Sequence, residues 1–280
     1  MTPSNTKSLA VCSWSLKPKS PADLVEKVCN TGLSRVQLAL KPLVLEPQVW
    51  SDVPRQLARA GIGIASGMFS TIGEDYRTLE SIKRTGGLIP DETWEENWSW
   101  LQKMALWAGQ LQLKIVSGHI GFIPHDLAAP HAIKLLDRTA QLAKLFAAQG
   151  CLMLMETGQE SADTLIRFLQ AFDRRNVKLG VNFDPANMIL YGKGDPVDAL
   201  ARLMPWVRQV HIKDAVSSSQ PGLQWGSEVA VGEGAVNWQA FTRVLREGCF
   251  AGDLVIEREH GDNRVMDIRK AVEFISSLQK

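Results

Sequence analysis

Four residues in the second half of the chain can do metal or proton chemistry, and each closes a short apolar run. Glu156 ends CLMLME, Asp184 ends LGVNFD, His211 lies in VRQVHI and Glu257 lies in DLVIER. Three carboxylates gathered at one place cannot all ionise cheaply unless positive charge stands among them. A divalent cation supplies that charge. Oxygen-rich ligation with one imidazole suits Mn²⁺, Mg²⁺ or Co²⁺ better than a thiolate-type zinc site, with Zn²⁺ still compatible. A lone histidine in a strand is more often a hydrogen-bonded core residue, and a strand-terminal aspartate is often only a helix cap. Their recurrence at the ends of successive runs is what favours a ligand set.

Such a set needs elements that bring it together. β-rich apolar runs at 9–14, 35–40, 62–69, 114–120, 151–156, 179–184, 207–212 and 253–258 alternate with segments of helical period at 22–30, 47–60, 91–110, 132–149, 162–174, 196–204, 238–247 and 264–279. Ser20 before Pro21 and Asp195 before Pro196 are cap-plus-proline starts. Eight strand-plus-helix units without a composition break predict a single (β/α)₈ TIM barrel over residues 1–280, with its active site at the C-terminal face of the strands. Alternate strand residues point inward and the last ones reach the mouth, so the four candidates line one arc on four consecutive strands.

Around this arc His119 ends the fourth run, Lys213 shares a face with His211, and Asp214 stands beside them to orient the imidazole or touch a ligand. Glu259, two residues beyond Glu257, ranks second as a ligand from its strand. Two connections are long: 70–90, with room for a short extra helix, and 215–237, which contains VGEG at 231–234. Both hang over the mouth as a lid or rim; Glu233 either closes over it or belongs to a plain GEG turn. Trp94, Trp98, Trp100 and Trp107 crowd one helical segment without a clean stripe and are read as core packing or a subunit contact.

Lys plus Arg number 31 against 30 for Asp plus Glu, a net charge of +1 that provides no field for a nucleic acid or an anionic membrane. A small-molecule ligand fits this balance better. Cys12, Cys29, Cys151 and Cys249 form no CxxC pair and read as buried, reduced thiols. The first residues, MTPSNTKSLAV, lack the basic and apolar regions of a secretion signal, so the cytoplasm is the expected compartment.

Beyond these residues, METGQ (155–159), GVNFDPANMILYGKGDPVDAL (180–200), VRQVHIKDA (207–215), VGEGAVNW (231–238) and GDLVIEREHGD (252–262) resemble the xylose-isomerase-like TIM-barrel superfamily, in its sugar phosphate isomerase/epimerase branch. The first half resembles it only in barrel rhythm and in SGHIG (117–121). The resemblance places the family's four ligand positions on Glu156, Asp184, His211 and Glu257. It implies a carbohydrate-type substrate with a metal-bound carbonyl or hydroxyl, and no single reaction; the leading expectation is proton abstraction next to a metal-polarised carbonyl of a keto sugar, giving isomerisation or epimerisation, with Glu156 and Glu257 as the catalytic pair and their carboxyl pKa values shifted toward neutrality by a crowded, water-poor site. His119 and Lys213 then become candidates for substrate hydroxyls, and Trp14 for packing against the sugar. Well-studied ketose 3-epimerases carry a histidine where this chain has Asn187 and an arginine where it has Ala215, so their substrate recognition does not transfer; Asn187 is a candidate substrate contact of its own.

A lyase that expels water or a glycosidic oxygen uses the same machinery. A DNA-repair endonuclease is disfavoured by the neutral charge and by only five histidines, and a barrel with a purely structural metal is the remaining alternative. No Gly-rich phosphate cradle follows the seventh or eighth strand, which favours an unphosphorylated substrate. The resemblance also allows a homo-oligomer, with no interface legible in the residues.

Overall fold

The computed structural model describes residues 9–278. The residues before Leu9, and Gln279 of the last expected helix, lie outside them. The barrel strands are β1 (Leu9–Cys12), β2 (Arg35–Ala39), β3 (Gly63–Met68), β4 (Ile115–Gly118), β5 (Leu152–Glu156), β6 (Gly180–Phe183), β7 (Val207–Ile212) and β10 (Asp253–Ile256). All neighbours pair in parallel, and Leu9 opposite Leu254 closes the ring between β1 and β10. Every expected run is present. Most are a few residues shorter than the apolar stretch, because the last residues leave the ladder to form the mouth.

Local chemistry explains most boundaries. Ser20 accepts from the Asp23 N–H to start α1 (Pro21–Thr31), and Asp195 accepts from Val197 and Asp198 to start α10 (Pro196–Leu203). α8 (Ala162–Arg174) buries Leu165, Phe168, Leu169 and Phe172 against the barrel, each such side chain contributing roughly 1.5–3 kcal/mol. The helix expected at 47–60 is instead broken into α3 (Pro47–Trp50) and α4 (Val53–Arg59), preceded by α2 (Lys41–Leu45). Pro42, Pro47 and Pro54 each lack an N–H and sit in a first turn, so no continuous helix can run through them.

The 70–90 connection holds the expected short helix, α5 (Leu79–Thr85), capped reciprocally by Thr78 and Ser81. The 215–237 connection is more ordered than a loop: β8 (Asp214–Val216) and β9 (Ser227–Val229) form an antiparallel hairpin outside the barrel. On α6 (Trp94–Gln110), Trp94 stacks on Trp98 at 5.6 Å with the Arg138 guanidinium over its ring, and the four tryptophans pack partly buried against the core. The cysteine expectation holds for Cys12 and Cys151 and fails for Cys29 and Cys249, which are exposed; all four are free thiols. Cys29 lies on the outward face of α1, and Cys249 in the turn before β10 with φ 50°. No helix among the described residues is long and apolar enough to cross a membrane.

Candidate metal centre and active site

One atom from each of Glu156, Asp184, His211 and Glu257 lies within 4.8 Å of the others, and all four residues are buried. Three are set by the strand ends: Glu156 is the last residue of β5, His211 the penultimate residue of β7, and Glu257 follows β10 with its N–H still bonded to the Ile212 carbonyl at 3.1 Å. Asp184 is fixed differently. It caps α9 (Pro185–Leu190) by accepting from the Asn187 N–H through Oδ1 at 3.0 Å, while Oδ2 is buried without a hydrogen bond and points to His211 Nδ1 at 3.8 Å. The aspartate is cap and ligand candidate at once.

The imidazole is oriented by a residue outside the sequence-derived set. His211 Nε2 lies 2.8 Å from Gln37 Oε1, to which it donates; the Gln37 amide in turn donates to Ser117 Oγ at 2.7 Å. Asn182 Nδ2, 3.0 Å from the same ring nitrogen, donates instead to Glu156 Oε2 at 3.3 Å. Nδ1 is thereby aimed at the carboxylates, 3.3 Å from Glu257 Oε2 and 3.4 Å from Glu156 Oε1, with no hydrogen bond of its own. Gln37 and Asn182 carried a signal in the sequence: each is a polar residue in a strand, and both are fully buried.

Charge is dense here. Burial opposes the positive charge of His211, but Cys12, Glu156 and Glu257 raise its pKa well above the usual histidine range. Burial raises Glu156 and Glu257 too, yet His119 and His211 leave Glu156 below the usual carboxylate range and Lys213 and His211 hold Glu257 well below it, so the expected shift of this pair toward neutrality fails. Burial pushes Asp184 up to about 6 even with Lys213 nearby. Burial also raises the Cys12 thiol, whose sulfur lies 3.8 Å from His211 Nε2 and, with His211 and Glu257, forms a second group of potential ligand atoms within 4.8 Å of one another. Asp184 Oδ2 and His211 Nδ1, both buried without a hydrogen bond in a set of three carboxylates and one imidazole, fit a hard or borderline divalent cation.

The remaining candidates converge on this cluster. Lys213, 3% exposed, donates to Glu257 Oε2 at 3.0 Å and Glu259 Oε2 at 2.7 Å. That pairing places Glu259 on the far side of the lysine, outside the ligand cluster. Asn187 donates to Glu156 Oε1 at 3.1 Å, and His119 Nε2 lies 3.5 Å from the same oxygen. Trp14 sits in a 3-10 turn after β1, not at the strand end, and its indole N–H donates to Glu257 Oε1 at 2.6 Å. One expectation fails, and one open reading resolves. Asp214 turns away from His211 and accepts from Gly232, Gly234, Val236 and Trp238, pinning the VGEG turn. Glu233 on that turn is exposed and does not line the cavity.

Above the cluster opens a cavity of about 1010 Å³ whose walls include His119, Glu156, Asn187, Lys213 and Glu257, with Tyr191 and Trp225 contributed by the β6 and hairpin side. A buried carboxylate set, a polar rim and an aromatic wall suit a small hydroxylated ligand.

The family model described as xylose isomerase-like TIM barrel matches residues 28–278. Among solved structures, a xylose isomerase domain protein from Planctomyces limnophilus is 31% identical, with TM-score 0.86, over 98% of this chain and 97% of its own. A xylose isomerase-like barrel from Mycobacterium smegmatis in complex with magnesium is 15% identical with TM-score 0.71, covering 100% and 98%. A 3-keto-D-glucoside 4-epimerase from E. coli is 13% identical with TM-score 0.71, covering 97% and 100%. No curated protein matches. The chain belongs to the xylose isomerase-like TIM-barrel family.

Proposed function

We propose that this protein is a divalent-metal-dependent sugar isomerase or epimerase that moves a proton at the carbon next to a carbonyl of a keto sugar or related polyol. The observation that carries this reading is the buried set of three carboxylates and one imidazole at the floor of the cavity, with Asp184 Oδ2 and His211 Nδ1 both lacking hydrogen-bond partners. Glu156, Asp184, His211 and Glu257 would hold the ion. When bound, it supplies positive charge that lowers the energy of the anion formed as the α-proton leaves.

The protein's own groups divide the rest. Glu156 and Glu257 share the proton transfers, one accepting the α-proton and the other returning one, from the opposite face in an epimerisation. Asn187 fixes the Glu156 carboxylate, and Trp14 and Lys213 fix Glu257, so neither must reorganise as the proton moves. His119 and Lys213 offer N–H donors to substrate hydroxyls, and the indole face of Trp14 lies along the cavity.

The test is proton NMR of ketoses, keto-inositols and 3-keto-glycosides in D₂O with Mn²⁺ or Mg²⁺, comparing wild type with Glu156→Gln. Deuterium entering one carbon, abolished by the variant and by a chelator, supports the reading. Product configuration marks epimerisation, and loss of water or of a glycosidic group marks a lyase. Exchange at no carbon of any substrate would overturn α-proton chemistry.

A further inference from the structure

The cavity is larger and more divided than a single sugar ring requires. Its volume of about 1010 Å³ stands at the top of the roughly 300–1,000 Å³ that encloses drug-sized ligands. Its polar end is the carboxylate cluster. Past Trp14, over β1 and β2, the walls are mostly apolar, with Pro18, Ala39, Pro42, Leu45 and Trp50, and Lys41 and Glu46 are the charged residues among them. A neighbouring apolar pocket of about 240 Å³ shares Trp14, Pro18, Ala39, Pro42 and Trp50 with this end. Leu45 and Trp50 are the last residues of the two short helices after β2, α2 and α3, and both line the cavity. Leu45 is 44% exposed, an apolar side chain left at the rim.

We infer that this arm receives a flat apolar substituent of the substrate, and that the natural substrate is a keto-glycoside whose aglycone, an aromatic or comparably apolar ring, lies between Trp50, Leu45 and the two prolines. Trp14 is the joint. Its N–H holds Glu257 while its ring borders both the polar end and the arm, so a sugar seated on the cluster directs its substituent across this indole. Proline, leucine and tryptophan side chains supply most of this wall and favour an apolar ring, while Lys41 and Glu46 beside them are the groups a second hydroxylated ring would use instead, the alternative that the cellobiose probe reads. The inference rests on the proposed sugar chemistry for the identity of the polar end, and on the shape and lining of the cavity for the arm.

The test is equilibrium binding of three unreactive probes, phenyl glucoside, methyl glucoside and cellobiose, to the intact chain with Mn²⁺ supplied. Phenyl glucoside is expected to bind about tenfold more tightly than methyl glucoside, from burial of the ring's apolar area, with cellobiose near the methyl compound. Leu45→Glu, a substitution at an already exposed rim position, should bring the phenyl-to-methyl ratio close to unity. Tryptophan quenching by 4-nitrophenyl glucoside should fall in Trp50→Phe, which keeps the wall. Equal affinity for phenyl and methyl glucosides, no detectable binding of the phenyl probe, a ratio unmoved by Leu45→Glu, or tighter binding of cellobiose overturns the arm. A phenyl preference without deuterium exchange in keto-glycosides would instead sink the proposed reaction and leave the arm standing. Exchange without the preference would sink the arm alone.

Discussion

Asp184 caps α9 through Oδ1 and leaves Oδ2 buried without a hydrogen bond, 3.8 Å from both His211 Nδ1 and Lys213 Nζ, so substitutions separate its two functions. Asp184→Asn keeps an acceptor for the Asn187 N–H and removes the anionic donor. Its metal affinity should fall by more than about tenfold, since even groups behind a ligand are worth 10–100-fold, with little loss of melting temperature in chelator. Asp184→Ala should lose about 1 kcal/mol of stability in addition. Calorimetric metal titration and thermal denaturation read the two effects. His211 gives a pH prediction. Its pKa is raised well above the ordinary range, so in the metal-free protein Nδ1 carries a proton that a cation must displace. Apparent metal affinity should therefore rise with pH, and fall further below about 6, where Asp184 becomes protonated. Titrations in buffers of different ionisation enthalpy would reveal the released proton; an affinity independent of pH would contradict this assignment.

Between strands and helices, the VGEG turn is a structural device built around a buried carboxylate. A Cβ on Gly234 would lie 2.1 Å from Asp214 Oδ1, so Gly234→Ala should destabilise the protein by about 1–3 kcal/mol. Glu233→Gln, on the same turn but exposed and away from the cavity, should change stability by less than about 0.5 kcal/mol; urea denaturation compares them. The eight strands, the mouth and the four clustered residues were legible in the sequence because strand alternation and strand-end polarity are local signals. The hairpin after β7 was not legible, since Ser and Gly give no strand pattern and its register depends on Asp214 reaching backbone N–H groups 18 to 22 residues away. Gln37 escaped notice for a related reason: its partner His211 is 174 residues distant, and only closure of the barrel brings them together.

For the molecule as a whole, burial pushes the Glu160 carboxyl up from 4.5 to about 8, against a smaller opposing influence of Lys193. The folded state thus keeps a proton that the unfolded chain loses. Glu160 contributes fully below about 4.5, and its contribution is lost as pH rises through about 8, at a slope of at most about 1.4 kcal/mol per pH unit. Glu160→Gln should flatten that decline, so the variant gains on wild type between pH 5 and pH 8 in urea unfolding with chelator present; parallel pH curves would show that Glu160 is not protonated in the fold. Metal should stabilise the whole barrel by mass action, about 2.7 kcal/mol at a hundred times Kd.

The measurement that bears most directly on the proposed centre is calorimetric titration of Mn²⁺ into wild type and into Glu156→Gln, Asp184→Asn, His211→Asn and Glu257→Gln separately. A single saturable site per chain in the wild type, weakened more than about tenfold in each variant, is the predicted result. Mn²⁺ binding with unchanged affinity in all four variants, or no binding to the wild type, would contradict the proposal that these side chains form a metal centre.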